Sequence, residues 1–128
     1  MTDEIVILVA EDESMIALGL RLTLEDGGYT VRTACDGAHA LPELNLASHD
    51  IAGLITDIRM EPGPSGWDVA RHAREVYPGL PVVYMSGDSA NDHTSRGVPD
   101  SIMLLKPFAD AQMLAAISTL LNKPKIAA

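Results

Sequence analysis

Three apolar, strand-like runs in this chain end in charged side chains, and no other feature narrows the possible folds as far. Val6-Ile-Leu-Val-Ala runs into Glu11-Asp12, Ile51-Ala-Gly-Leu-Ile-Thr ends at Asp57, and Ile102-Met-Leu-Leu runs into Lys106-Pro107. Continuous apolar runs rich in β-branched residues mark strands buried on both faces. Acids and a lysine at the downstream ends of separate buried strands build one polar site at one edge of a sheet. Open α/β sheets bind their ligands outside that edge.

The rest of the chain alternates between strand-like and helix-like segments. Ile5 to Ala10 reads as the first strand. Ser14 then offers an N-cap, Met15, Leu18, Leu22 and Leu24 follow with helical spacing, and Gly27-Gly28 stops the helix. Tyr29 to Ala34 reads as a second strand, Asp36-Gly37 turns the chain, and a helix runs from about Ala38 to Ala47. Pro42 suits only the first turn of that helix, which argues for a later start. Ile51 to Thr56 is a third strand and Pro62 to Gly66 a loop. Trp67, Ala70, Ala73 and Val76-Tyr77 mark a third helix, ended by Pro78-Gly79. Pro81 to Met85 and Ser101 to Leu105 complete the strands. Between them, Asp88 to Asp100 is polar and glycine-punctuated and predicts only a short helix. The last helix runs from about Asp110 to Leu121, with Met113, Leu114, Ile117, Leu120 and Leu121 as its apolar stripe. Five βα units with apolar strands predict an α/β fold, a five-stranded parallel sheet covered by helices on both faces. One domain is expected over 1–128, with its core at about 4–121 and a short tail at 122–128.

Composition agrees. The 128 residues suffice for one domain with a real core and not for two ordinary ones. Acids outnumber bases by 18 to 9, and the net charge of −9 repels phosphate backbones, so no direct nucleic-acid partner is expected. The same charge attracts divalent metal. The start, Met1-Thr-Asp-Glu, lacks the basic-then-apolar layout of a signal peptide, and no run approaches membrane-spanning length. A soluble cytoplasmic protein with no membrane partner is the expectation. Cys35 has no partner for an internal disulfide and reads as a small buried or half-buried apolar residue. His39, His49, His72 and His93 are scattered without metal-ligand spacing and read as surface residues.

Glu11, Asp12 and Asp57 brought together would repel one another, and each would resist ionising. A hard, oxygen-preferring cation resolves this. Mg2+ takes few carboxylates, keeps several waters and shares its shell readily with a phosphoryl oxygen. Lys106 adds a mobile positive charge suited to an anion, and Ser86 brings a hydroxyl to the same edge. Such a set can accept a phosphoryl group on a carboxylate. Each piece alone has an ordinary reading: Glu11-Asp12-Glu13 as acids at a helix start, Asp57 as a loop cap, Lys106-Pro107 as a turn, Ser86-Gly87 as a loop start. Their joint placement at strand ends is what points to a site.

On these residues the chain resembles the receiver domain of bacterial two-component response regulators, across nearly its whole length. The matching pieces are Glu11-Asp12, Asp57-Ile-Arg-Met60, Ser86-Gly87 and Lys106-Pro107-Phe108, with Asp36-Gly37 and Gly66 also in place. The resemblance implies a doubly wound, flavodoxin-like (βα)5 fold with strand order 2-1-3-4-5. It implies that Asp57 is the phosphoacceptor, fed by a histidine kinase, a phosphotransfer protein or a small phosphodonor. Glu11, Asp12, Asp57 and the backbone carbonyl of Arg59 would hold Mg2+. Lys106 would pair with the phosphoryl oxygens and Ser86 would swing towards them. The Lys106–Pro107 bond would be cis.

The chain departs from the family pattern in places. The aromatic residue usual three positions before the lysine is Met103 here, which lacks a rigid ring. Tyr84 shares a strand face with Ser86 and could replace it; the plainer reading is a packed strand aromatic. The loop after Met60 is one residue longer than the common pattern, and Trp67 starts the next helix close to the site, either as a local packing residue or as a reporter of metal and phosphate. Arg59 and Asp88 flank the acceptor and Ser86, at positions that influence phosphate loss in the family. The expected protein is a stand-alone response regulator that signals to an unidentified downstream protein and performs only self-catalysed phosphotransfer and dephosphorylation. One alternative is an Mg2+-dependent aspartyl-nucleophile phosphatase, opposed by Arg59 where such enzymes place a second Asp. Another is a receiver domain belonging to a hybrid histidine kinase. A flavin module of similar topology lacks a phosphate-cradling loop after the first strand. Ala109, Ala111, Ala115 and Ala116 could pack the last helix on a second copy as a weak homodimer.

Overall fold

The computed structural model describes residues 4–46 and 50–123. Five strands, β1 (Val6–Ala10), β2 (Thr30–Ala34), β3 (Ile51–Asp57), β4 (Val82–Ser86) and β5 (Ile102–Leu105), alternate with five helices. These are α1 (Ser14–Asp26), α2 (Gly37–Asn45), α3 (Gly66–Val76), α4 (His93–Arg96) and α5 (Asp110–Leu121). The strands are all parallel and pair in the order β2-β1-β3-β4-β5. The strand order implied by the resemblance is therefore the observed one.

Successive strand side chains point to opposite faces, and this divides the interior in two. Leu8 and Ala10 of β1 join Leu54, Tyr84, Ala40, Leu44, Trp67, Ala70 and Ala73 in one core, under α2 and α3. Ile7 and Val9 join Ile55, Val83, Leu20, Leu24, Met113 and Ile117 in the other, under α1 and α5. Each fully buried aliphatic side chain contributes roughly 1.5–3 kcal/mol, so the two layers carry most of the drive to fold.

Register sets the site. Ala10 pairs with Thr56, Asp57 with Met85, and Ser86 with Leu105. Glu11, Asp57, Ser86 and Lys106 consequently emerge within about one residue of the same level along the sheet edge.

Three helical details differ from the reading above. Ser14 is the first residue of α1; Glu13 occupies the N-cap and makes no side-chain cap bond. Met15, Leu18 and Leu22 face solvent at 78%, 49% and 58% exposure, while Leu20 and Leu24 are buried. Apolar residues occupy more than one face of α1, and the sheet selects the face carrying Leu20 and Leu24. Helix α2 begins at Gly37 and carries Pro42 in its interior, so the missing N–H is tolerated rather than avoided by a later start. Its expected end at Ala47 lies outside the described residues, as do Met1 to Asp3, His49 and the tail from Pro124 to Ala128. The short helix expected between Asp88 and Asp100 is a 3-10 turn (Ala90–Asp92) leading into α4. On α5, Ala116 is buried in its own core and is not available to a second copy.

Candidate functional site

The β1 register carries Glu11 into a pocket where its side chain is fully enclosed. Its backbone N–H donates to Ala34 O at 3.0 Å, which keeps β1 and β2 aligned one residue past the strand. Its Oε2 accepts the N–H of Glu13 at 3.1 Å. Asp57 closes β3, with Oδ1 accepting the N–H of Ile58 at 2.8 Å. Asp12 stands at the rim, exposed. Carboxylate oxygens of Glu11, Asp12 and Asp57 all lie within 4.8 Å of one another. Lys106 reaches in from the end of β5, its Nζ 2.9 Å from Glu11 Oε1 and 3.3 Å from Asp57 Oδ2.

Three carboxylates face one ammonium, and the electrostatics record the shortage. Burial pushes the Glu11 carboxyl up to about 7 despite its hydrogen bond from Lys106. Burial also raises Asp57, against the pull of Lys106. Burial alone would lower Lys106, but Glu11 and Asp57 together raise it. An excess of negative charge in a partly dry pocket suits a divalent cation. Oxygens around octahedral Mg2+ stand about 2.9 Å apart when adjacent and about 4.2 Å when opposite, so carboxylate oxygens lying within 4.8 Å of one another are near enough to close on one ion. The donor set thus fits the metal that the resemblance implies.

Ser86 lies at the same edge, and its hydroxyl accepts the N–H groups of Asp88 at 3.1 Å and Ser89 at 2.7 Å. It shapes the loop after β4. The Arg59 side chain pairs with Asp88 at 3.3 Å, an exposed contact of small energetic weight. The Lys106–Pro107 bond is cis, as is Glu61–Pro62. Tyr84 is fully buried beside Trp67, ring centroids 4.8 Å apart, and its hydroxyl accepts the Val98 N–H at 3.0 Å. It sits opposite Met103 across β4 and β5. Trp67 is likewise buried, as the local-packing reading requires.

Two supports of the site were not assigned roles from sequence. A Cβ at Gly66 would collide with the Asp57 carbonyl oxygen, so only glycine lets α3 start against the end of β3. Thr56 Oγ1 donates to the same carbonyl at 2.8 Å. Among the histidines, His93 is half-buried, edge-on to Tyr84 at 5.6 Å and bonded to Ser101. Cys35 is exposed, not buried, and the turn into α2 brings it together with Asp36 and His39. The signal was the local Cys-Asp-x-x-His spacing, which converges only once Asp36 caps a helix.

Fold and pocket together define a signalling receiver, and the chain belongs to the response regulator receiver domain family, whose model matches residues 7–118. It is similar to the transcriptional regulatory protein CusR of Escherichia coli, 30% identical over 91% of this chain and 51% of that protein. It is also similar to the response regulator MprA of Mycobacterium ulcerans, 34% identical over 94% of this chain and 51% of that protein. The chain spans about half the length of these curated relatives. Among solved structures, a response regulator receiver protein from Sinorhizobium medicae superposes with a TM-score of 0.90 at 46% identity, covering 94% of this chain and 96% of that one. Chemotaxis protein CheY4 of Vibrio cholerae gives 0.81 at 25% identity, covering 91% and 98%. Among the described residues no helix is long and apolar enough to cross a membrane.

Proposed function

We propose that this chain is a stand-alone phosphoacceptor response regulator, phosphorylated on Asp57 with Mg2+ and signalling by protein–protein contact. The observation that carries the reading is Lys106 Nζ held between Glu11 and Asp57, at 2.9 and 3.3 Å, inside an acidic pocket at the ends of the strands. Glu11, Asp12, Asp57 and the Arg59 backbone carbonyl are the groups that would hold Mg2+, which supplies charge neutralisation for the phosphoryl oxygens.

The Asp57 carboxylate attacks phosphorus, forming an O–P bond as the P–N bond of a phosphohistidine, or the P–O bond of an acyl phosphate, breaks. The electron pair leaves with the imidazole or acylate. Ile58 N–H fixes Asp57 Oδ1, so Oδ2, beside Lys106, is the oxygen presented to the donor. The ammonium then meets charge on the transferred group, where catalysis of phosphoryl transfer chiefly lies. Ser86 Oγ accepts two loop N–H groups and keeps its O–H to donate to a phosphoryl oxygen, which ties that loop to the phosphorylation state. Attack of water on phosphorus returns free Asp57, so turnover is limited to self-dephosphorylation.

Arg59 at the position where an aspartyl phosphatase needs its second acid supports a receiver over an enzyme. Similarity to the S. medicae response regulator receiver protein, at 46% identity, supports the receiver reading. Similarity to the sensor kinase CckA of Brucella abortus, 28% identical over 12% of that protein, keeps the hybrid-kinase alternative in view. The test is intact mass after incubation with acetyl phosphate and Mg2+. One added phosphoryl group on the native chain, and none on Asp57→Ala, is expected; an equal gain on both would refute the assignment.

A further inference from the structure

Cys35, Asp36 and His39 stand where β2 hands over to α2, apart from the acidic pocket. Asp36 caps α2, its Oδ1 accepting the His39 backbone N–H at 2.8 Å. That cap turns the His39 ring back over the helix start. His39 Nδ1 then lies 2.7 Å from Asp36 Oδ1 and 3.5 Å from Cys35 Sγ. Sulfur, oxygen and nitrogen donors all fall within 4.8 Å of one another.

We propose that Cys35, Asp36 and His39 form a second metal site, selective for a borderline-soft divalent ion such as Zn2+, with water completing the shell. Tetrahedral zinc, with Zn–S near 2.3 Å and Zn–N near 2.0 Å, sets its sulfur and nitrogen ligands about 3.5 Å apart. That is the Cys35–His39 separation already present. The shorter Asp36–His39 contact is a hydrogen bond and opens when the Nδ1 proton leaves. Asp36 Oδ1 can keep its cap bond while the other carboxylate oxygen turns to the metal. Binding releases the Cys35 thiol proton to solvent, while the His39 proton passes from Nδ1 to Nε2 by exchange with water and frees Nδ1 to ligate. No electron is transferred.

Donor chemistry separates the two sites. Thiolate and imidazole favour zinc-like ions, whereas the all-oxygen cluster of Glu11, Asp12 and Asp57 favours Mg2+. The proposal stands independently of phosphorylation. It also gives physical content to the exposure of Cys35, which a packing role does not explain.

Titrating the untagged chain with cobalt chloride, and following near-ultraviolet sulfur-to-cobalt absorption, tests it. A saturable one-to-one band is expected in the native chain and in Asp57→Asn, reversed by zinc. Cys35→Ser should abolish the band. His39→Ala should weaken binding by more than the ~10-fold that loss of even an outer partner costs. Asp36→Asn keeps a competent cap, so it should weaken binding while far-ultraviolet circular dichroism stays native. Absence of the band at millimolar cobalt, its loss in Asp57→Asn, or an unchanged midpoint in both His39→Ala and Asp36→Asn would overturn the proposal.

Discussion

Lys106 carries more of the proposed chemistry than its single charge indicates, because among the described residues it is the ammonium that pairs with both Glu11 and Asp57 in the pocket. Lys106→Ala is expected to slow acetyl-phosphate-driven phosphorylation by ~10²–10³-fold, the usual effect of removing one aimed charge donor. Time-resolved intact mass would measure it, and a rate within a few-fold of native would count against the role. Gly66 supports Asp57 from behind, and Gly66→Ala forces a shift of the Asp57 carbonyl or the start of α3. Overpacking of that kind costs about 1–3 kcal/mol, readable as a lower urea midpoint. Tyr84 is the remaining residue of interest, since Met103 leaves no ring at the family's usual place. Tyr84→Phe strips the partner from the buried Val98 N–H, at a cost of about 1–3 kcal/mol in urea unfolding. If phosphorylation-linked changes survive that loss and Tyr84→Ala alike, Tyr84 is a packing residue and not a transmitter. Strand alternation alone placed Tyr84 with Ser86, but the Val98 bond spans 14 residues and has no local signature.

Each helix shows where local pattern suffices and where it does not. In α3, Ser65 and Asp68 form a reciprocal cap, and Ser65→Ala should cost about 0.5–2 kcal/mol. The Asp68 carboxyl is held below its ordinary value, first by the Ser65 backbone N–H and then by the Ser65 hydroxyl and Arg71, against the effect of burial. A carboxyl lowered in the folded state adds stability above its unfolded pKa of about 3.9, and that stability is lost as pH falls through the folded value. The difference in unfolding free energy between native chain and Asp68→Asn should therefore be present at neutral pH and shrink in acid. Helix α1 is the counterexample. Leu24→Ala should cost about 2–5 kcal/mol, whereas Leu22→Gln should stay within about 0.5 kcal/mol of native. The apolar spacing of Met15, Leu18 and Leu22 was legible, but which stripe faces the sheet depends on how the helix is laid down, and no i, i+4 count contains that. The same limit applies to Cys35: a cysteine just past a strand reads as buried unless the following cap is known to turn the chain outward.

At the scale of the whole molecule, folding and ligand binding are linked through the acidic edge. An ion that binds the folded pocket and not the open chain stabilises by mass action, about 2.7 kcal/mol at a hundredfold excess over Kd. Adding Mg2+ should raise Tm in native protein, chelation should reverse it, and Asp12→Ala should blunt the rise; a Tm insensitive to Mg2+ in all forms would remove the metal from the pocket. The sequence by itself determined the alternation of strands and helices, the parallel sheet and the chemistry at its downstream edge. Those are properties of hydrophobic period and of residue type at segment ends, and both are written along one dimension. Only the tertiary structure decided that Lys106 lies between Glu11 and Asp57, that Tyr84 holds Val98, that α1 buries Leu20 and Leu24, and that Cys35 meets His39 in the open. Each of those depends on register between strands, on helix rotation or on the direction of a turn, and such relations exist only once separate segments are packed against one another.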